Sequence, residues 1–141
     1  MTRARPFAAV SAVVVLLLTG PLLAGCSRTP SINRTPTSGA TTATDVDGVQ
    51  QVTITTGNDY RFHPANITVH PGKVRITLVN QGSGAPHDLQ VLNFPADYVP
   101  LAQGSTSTVA TFTAPAPGTY TFVCTIHQKQ GQTGTLTVLP N

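Results

Sequence analysis

The feature that most constrains this chain is an alternation of apolar and polar residues that begins near Gln51 and continues to the C-terminus. A period of two places every second side chain on the same face of a β-strand, so this pattern predicts strands with one buried face. It predicts seven strands, at residues 51–56, 66–70, 73–80, 87–92, 107–113, 118–124 and 134–139. Turn signals such as Pro71-Gly72 and Pro117-Gly118 separate them. The sequence therefore predicts an all-β sandwich of two sheets.

Length and composition agree with this fold class. The chain has 141 residues, no tryptophan and only 9% charged residues, and it is rich in Thr, Val, Gly and Pro. These residues favour short strands and tight turns rather than helices. The first forty or so residues lack a folding pattern, so the chain has room for one domain. Residues 93–106 show the weakest alternation, and we expect a loop or a short helical turn there.

The first 25 residues have the layout of a secretory signal. Arg3 and Arg5 precede an apolar stretch from Phe7 to Leu18, and small residues follow it. The motif Leu23-Ala24-Gly25-Cys26 resembles the lipobox of bacterial lipoproteins, which implies that Cys26 is lipidated and becomes the new N-terminus. The alternatives are an ordinary signal peptide or an uncleaved anchor, in which Cys26 has no role.

The next segment is polar and small. Residues 27–48 are mostly Ser, Thr, Pro, Ala and Gly, which predicts a disordered tether. We therefore divide the chain into a lipoprotein signal peptide (1–25), a lipid-attachment cysteine with its tether (26–48) and a folded domain (49–141). This division predicts a monomeric domain, anchored by lipid to the outer face of the bacterial cytoplasmic membrane in the cell envelope or periplasm.

Charge does not favour nucleic acid as a partner. The formal net charge of +3 includes Arg3 and Arg5, and the rest of the chain has six basic and five acidic residues. A nucleic-acid interface is expected to show a cluster of basic residues interleaved with aromatic ones. The sequence contains no such cluster.

One cysteine and two histidines carry the chemistry. Cys124 ends a predicted strand, His127 follows in the next loop, and His87 opens a strand well upstream. His87, Cys124 and Gln132 share parity with the apolar residues of their own strands, so their side chains are predicted to point toward the core. A thiolate and two imidazoles with a weak axial ligand suit a redox-active copper ion, and the same donors also bind zinc.

These residues also carry a family resemblance. From about Val52 to Leu139 the chain resembles the cupredoxins, the blue copper proteins related to plastocyanin and azurin. The match consists of His87 with the apolar strand after it, the segment Gly118-Thr119-Tyr120-Thr121-Phe122-Val123-Cys124, His127, and a Gly131-x-x-Gly134 turn. The resemblance implies a Greek-key sandwich of about seven to eight strands. It also implies one copper ion per domain, with His87, Cys124 and His127 as the strong ligands.

The chain departs from this family at the axial position. The family usually has methionine there, whereas this chain has Gln132, and its only methionine is Met1. We expect Gln132 to be the axial ligand, unless it faces solvent. A carbonyl oxygen should favour Cu(II) over Cu(I) and lower the reduction potential. The carboxylate of Asp88, next to His87, should act in the same direction.

The resemblance implies a one-electron carrier for redox proteins of the membrane or cell envelope. Electrons would pass at the edge of His127, through a small apolar patch formed by Gly82, Gly84, Ala85, Pro86 and Ile126. The alternative functions are copper scavenging, storage or delivery without redox turnover, and a structural sandwich whose copper site has decayed. We expect no enzyme activity, because a multicopper oxidase needs further copper sites and a dinuclear electron-entry site needs a second cysteine in the ligand loop.

Two further expectations concern residues outside the ligand set. His63 and His70 lie beside prolines and are expected to be exposed turn residues rather than ligands. Five aromatic residues are expected in the core: Tyr60, Phe62, Phe112, Tyr120 and Phe122.

Overall fold

A computed structural model describes residues 35–141, which form ten strands and one turn of 3-10 helix. The strands are β1 (Ala40–Thr42), β2 (Thr44–Val46), β3 (Val49–Thr56), β4 (Asn66–Val69), β5 (Lys73–Asn80), β6 (His87–Val91), β7 (Tyr98–Ala102), β8 (Ser107–Thr113), β9 (Gly118–Val123) and β10 (Thr133–Val138). The helical turn is Gln128–Gln130. Within this described part no helix has the length and apolar character needed to span a membrane. The predicted signal peptide and Cys26 lie outside the described residues.

The strands form two sheets. One contains six strands in the order β1-β4-β10-β9-β6-β7, and the other contains four in the order β2-β3-β5-β8. The pairs β1–β4, β4–β10 and β3–β5 are parallel, and the remaining pairs are antiparallel. The all-β, two-sheet prediction is confirmed, with ten strands rather than seven to eight.

The core lies where the alternating positions of the strands meet. In β5, for example, Val74, Ile76 and Leu78 are buried. Gly134 of β10 pairs with Phe122 of β9, and a Cβ at Gly134 would overlap the Phe122 ring, so only glycine fits there. The buried apolar cluster contains Val52, Ile54, Phe62, Ile67, Val69, Val74, Ile76, Leu78, Leu89, Val91, Val99, Ala102, Phe112, Phe122, Cys124, Leu136 and Val138.

Three strands were not predicted. β1 and β2 fall in the segment predicted to be a disordered tether, and that prediction is wrong for residues 40–42 and 44–46. Both strands are mostly exposed and form by backbone pairing with β4 and β3, so no apolar pattern marks them. β7 lies in the stretch expected to be a loop or helical turn. Pro100 interrupts its pattern, and its register with β6 shifts between His87 and Leu89.

Candidate metal centre

Three neighbouring strands bring the predicted ligands to the same end of the six-stranded sheet. Cys124 directly follows β9, Gln132 directly precedes β10, and His87 is the first residue of β6. β9 is antiparallel to both neighbours, and its last residue, Val123, pairs with Thr133 at the start of β10 and with Gln90 of β6. The chain beyond Val123 therefore runs toward the end of β6 at which His87 lies. His127 belongs to the short loop that returns from β9 to β10, residues 124–132, which we call the ligand loop.

The donor atoms of the two histidines and the cysteine form a compact triangle. The Nδ1 atoms of His87 and His127 lie 4.0 and 3.5 Å from the Sγ atom of Cys124. Ligand atoms of the three residues all lie within 4.8 Å of one another, and all three residues are buried. Nitrogen and sulfur donors arranged trigonally at ordinary bond lengths around one ion would be about 3.8 Å apart. The triangle therefore fits a single metal ion, and it is the one such cluster of His, Cys, Asp or Glu within residues 35–141.

Gln132 is fully buried and connects this triangle to the second sheet. Its Oε1 atom lies 2.8 Å from Nδ1 of His87, and its Nε2 atom donates a hydrogen bond of 2.6 Å to Oγ1 of Thr56. Thr56 is the last residue of β3, so the four-stranded sheet fixes the amide with its oxygen toward the donor atoms. The prediction that Gln132 points inward is confirmed, and the alternative that it faces solvent is wrong. Its coordination of a metal stays a prediction.

The carboxylate of Asp88 fastens the ligand loop to β6. Its Oδ1 atom accepts a 2.7 Å hydrogen bond from the backbone N–H of Thr125, and its Oδ2 atom accepts bonds from the Thr125 hydroxyl (2.5 Å) and the Tyr98 hydroxyl (3.3 Å). Asp88 itself is 3% exposed. It is therefore a brace for the residue after Cys124 as well as a negative charge next to His87.

Asn80 holds the loop that leads into His87. Its Nδ2 atom donates to the carbonyls of Ala85 (2.8 Å) and Ala102 (3.1 Å), and its Oδ1 atom accepts from the N–H of Gly82 (2.9 Å). Because Asn80 is buried at the end of β5, this loop is anchored to the four-stranded sheet.

The sequence analysis missed Thr56 and Asn80, although a signal for both was present. Each is a polar residue at the end of a strand, in phase with the buried residues of that strand. A buried polar side chain requires hydrogen-bond partners, so this position in the pattern is a reason to expect a supporting role.

The prediction that Tyr60 belongs to the core is wrong. Its ring centroid lies 4.6 Å from that of His127 and 5.9 Å from that of His87, at the edge of the donor triangle. The other four aromatic residues are buried or packed against the core, as predicted: Phe62, Phe112, Tyr120 and Phe122. His63 and His70 are exposed, also as predicted, and Nε2 of His63 lies 2.7 Å from Oδ2 of Asp59.

Burial sets the protonation of the donors. It lowers the pKa of His87, against smaller opposing effects of the Gln132 hydrogen bond and the charges of Asp59 and Asp88. It also lowers the pKa of His127, and the nearby His87 adds to this effect. Both imidazoles are thus kept neutral and can donate a lone pair to a metal. Burial raises the pKa of the Cys124 thiol, although the backbone N–H groups of Asp88, His127 and Ile126 oppose it, so thiolate formation is coupled to an adjacent cation.

The predicted apolar patch is present in part. Ile126 is 47% exposed, next to His127, which is 8% exposed. Gly84 is exposed and Ala85 and Pro86 are half-buried, whereas Gly82 is buried and does not contribute to the surface.

Comparison with known families agrees with the fold and the donor set. The family model for the cupredoxin-like domain matches residues 35–138. The chain belongs to this family. The match includes β1 and β2, so this cupredoxin-like domain begins before residue 49, where the sequence analysis placed its start.

Solved structures with the same fold include two auracyanins. Auracyanin A from Chloroflexus aurantiacus, described as a blue copper protein, is 26% identical with a TM-score of 0.57, covering 64% of this chain and 99% of its own. Dithionite-reduced auracyanin from Roseiflexus castenholzii is 25% identical with a TM-score of 0.57, covering 64% and 97%. No curated protein matches the chain.

A third structure is similar in fold alone. The metal-binding domain of the Cu(I)-exporting P-type ATPase CopA of Streptococcus pneumoniae D39, solved with Cu(I), is 20% identical with a TM-score of 0.61, covering 73% of this chain and 98% of its own. Family, fold and the buried donor set of His87, Cys124 and His127 agree on a copper ion as the cofactor of this domain.

Proposed function

We propose that this cupredoxin-like protein is a one-electron carrier with a mononuclear type 1 copper site. His87, Cys124 and His127 would be the strong ligands, and the amide oxygen of Gln132 the weak axial one. The observation that carries this proposal is the buried triangle of one thiol and two imidazoles. When bound, copper supplies a reversible couple between Cu(II) and Cu(I), a chemistry that this donor set suits.

The protein's own contribution is to hold these donors still. Asn80 anchors the loop before His87, Asp88 fastens the residue after Cys124, and Thr56 orients the amide of Gln132. Donors held by neighbouring hydrogen bonds keep one arrangement whichever charge the metal carries, so electron transfer requires little rearrangement. The exposed side chain of Ile126 beside His127 offers a small apolar contact, which suits brief docking with a redox protein.

The axial role of Gln132 has its own test. Replacing the amide oxygen with a thioether, by Gln132→Met, should raise the reduction potential because the softer ligand favours Cu(I). Thr56→Val, which removes the hydroxyl that orients the amide, is the companion variant and should change the potential less. Voltammetry of the three proteins measures this. An unchanged potential in Gln132→Met would show that the amide oxygen does not influence the metal.

A second function remains a candidate because the same fold occurs in the metal-binding domain solved with Cu(I). In this alternative the site would take up, store or deliver copper without redox turnover. It requires copper that exchanges readily, whereas a carrier must hold its copper in both oxidation states. Repeated oxidation and reduction in the presence of a competing chelator distinguishes the two functions.

The primary test is the visible absorption spectrum after addition of Cu(II), then of a reductant, and then of an oxidant. The protein is the chain carrying Cys26→Ser in detergent, in which Cys124 is the only cysteine. An intense thiolate-to-copper band that disappears on reduction and returns on oxidation would support the carrier. Weak colour, or oxidation of the thiol with loss of metal, would contradict the carrier. Preferential binding of zinc over copper would show that zinc is the metal of this site.

The cellular setting is also a proposal. We propose that Cys26 carries the lipid anchor, that the domain is a monomer at the outer face of the cytoplasmic membrane, and that its partners are redox proteins of the cell envelope. The lipobox and the carrier chemistry support this setting. Mass spectrometry of the mature protein tests it, because acylation should be present in the wild type and absent from Cys26→Ser. Wild-type protein found without acyl chains would refute the anchor.

A further inference from the structure

The turn between β3 and β4 approaches the donor triangle in an unusual backbone conformation. The N–H of Tyr60 donates to the carbonyl of Gly57 (3.0 Å), and Tyr60 has a φ of +54°. This left-handed region is unfavourable for a residue with a bulky side chain. The turn is therefore maintained by side-chain contacts, and those that connect it to the donor triangle and its loop come from Tyr60 and Arg61.

Arg61 is a buried cation that joins separate segments of the chain. It is 4% exposed, and its Nε atom donates to the carbonyl of Thr35 (2.6 Å). One terminal nitrogen donates to the carbonyls of Tyr60 (2.7 Å) and Gln130 (2.9 Å). Burying a guanidinium has a large desolvation cost unless hydrogen bonds offset it. The bond to Gln130 is the important one, because Gln130 belongs to the loop that follows His127.

The end of the ligand loop rests on this guanidinium. Gly131 has a φ of +84°, and a Cβ there would lie 3.3 and 3.4 Å from the two terminal nitrogens of Arg61. The N–H groups of Gln130 and Gln132 both donate to the carbonyl of His127, at 3.0 and 3.2 Å. A displacement of the loop from Arg61 would therefore move the backbone of His127 as well.

Tyr60 acts on the side chain of the same histidine. Its ring is tilted by 40° to the ring of His127 and by 58° to that of His87, and the two imidazole centroids are 4.8 Å apart. One residue of the turn thus packs on the imidazoles while the next holds the backbone. We propose that Tyr60 and Arg61 form a clamp that positions His127 and the ligand loop and slows the exchange of copper. This proposal rests on the proposed metal site, so its first test uses the protein without metal.

The first test compares hydrogen exchange of Arg61→Met with that of Arg75→Met, both in the metal-free Cys26→Ser chain. Arg75 is exposed on β5 and serves as the matched control. In Arg61→Met the amides of Gln130 and Gln132 should exchange about tenfold faster, as expected when one charged hydrogen bond is lost. Amides in the middle of β10 and β5 should be unaffected. Unchanged loop protection, or equal acceleration throughout the domain, would overturn the clamp.

The second test measures the rate at which EDTA removes Cu(II) from the loaded chain. Tyr60→Leu should lose copper about tenfold faster, because the ring contacts with both imidazoles are removed. Tyr60→Phe keeps the ring and should restore the slow rate. Tyr120→Leu is the control, because it alters a tyrosine that packs on Phe94. This variant should release copper as slowly as the wild type. The clamp is wrong if Tyr60→Leu behaves as wild type, or if Tyr120→Leu is accelerated as much.

The two tests separate this proposal from the proposed function. If the wild-type chain binds no copper, the carrier and copper-handling functions both fail, while hydrogen exchange still decides whether Arg61 holds the loop. If copper binds but the exchange pattern is unaltered in Arg61→Met, the clamp fails and the metal site stands.

Discussion

The middle of the sandwich and its metal-site end are both buried, yet they are held together differently. The middle consists of apolar side chains such as Ile54, Ile76 and Leu136, whose contacts have no preferred direction. The metal-site end buries polar and charged groups instead: Thr56, Arg61, Asn80, His87, Asp88, His127 and Gln132. Each of these groups needs partners in particular directions. The middle therefore supplies most of the stability, and the end supplies one defined arrangement of donors.

Cys124→Ser should have the largest effect and act only on the metal-site end. A hydroxyl oxygen cannot replace the thiolate as a soft ligand, so the thiolate-to-copper band should be lost completely. Serine is close to cysteine in size, so the sandwich should remain folded by far-ultraviolet circular dichroism. A surviving intense band would mean that Cys124 is not the ligand.

Phe122→Ala should show the opposite behaviour. Phe122 is fully buried and packs against Phe62, with ring centroids 5.2 Å apart. Removing the ring should lower the free energy of unfolding by about 3–5 kcal/mol. The copper band of the molecules that remain folded should keep its position. Urea titration with an absorption scan measures both, and a large spectral change would show that the two regions are not separable.

Asp88 offers a smaller test, in which geometry and charge can be separated. Asp88→Ala removes the acceptor of the Thr125 N–H and should cost about 1–3 kcal/mol of stability. Asp88→Asn keeps one oxygen acceptor for the Thr125 N–H, replaces the other oxygen with an NH2 group and removes the negative charge, so it should raise the reduction potential with less loss of stability. Denaturation and voltammetry of both variants are needed. A potential that is the same in Asp88→Asn as in the wild type would exclude the charge effect.

The smallest expected effect is the change in the stability of the metal-free protein with pH. Because burial lowers the pKa of His87 and His127, the unfolded chain binds more protons than the folded one below about pH 6.5, and stability should fall as the pH falls. Because burial raises the pKa of Cys124, the unfolded chain loses its thiol proton first above about pH 8.5, and stability should fall as the pH rises.

Urea midpoints measured across this range in the Cys26→Ser chain provide the test. Cys124→Ala should abolish the alkaline decrease, and substitution of the exposed His70 by Gln is the control for the acidic side. A constant midpoint from acid to alkaline pH would contradict the assignment of both effects to the metal-site end.

The apolar alternation was sufficient to predict the two-sheet class and seven of the ten strands, because burial of one strand face leaves a period of two in the sequence. The same parity placed His87, Cys124 and Gln132 on the inner side of their strands. It could not reveal β1 and β2, which are exposed and exist through backbone pairing with β4 and β3. Backbone hydrogen bonds are common to all residues and leave no pattern of side chains.

What the sequence determined by itself is therefore the class of the fold and the types of donor, since both depend on residue identity and local spacing. Only the tertiary structure decided which distant groups support those donors. Thr56 reaches Gln132 from the other sheet, and Arg61 reaches Gln130 across 69 positions of the chain. Tyr60, expected in the core, lies on the imidazoles instead. Such contacts arise when loops of separate strands converge at one end of the sandwich, and sequence spacing carries no record of that convergence.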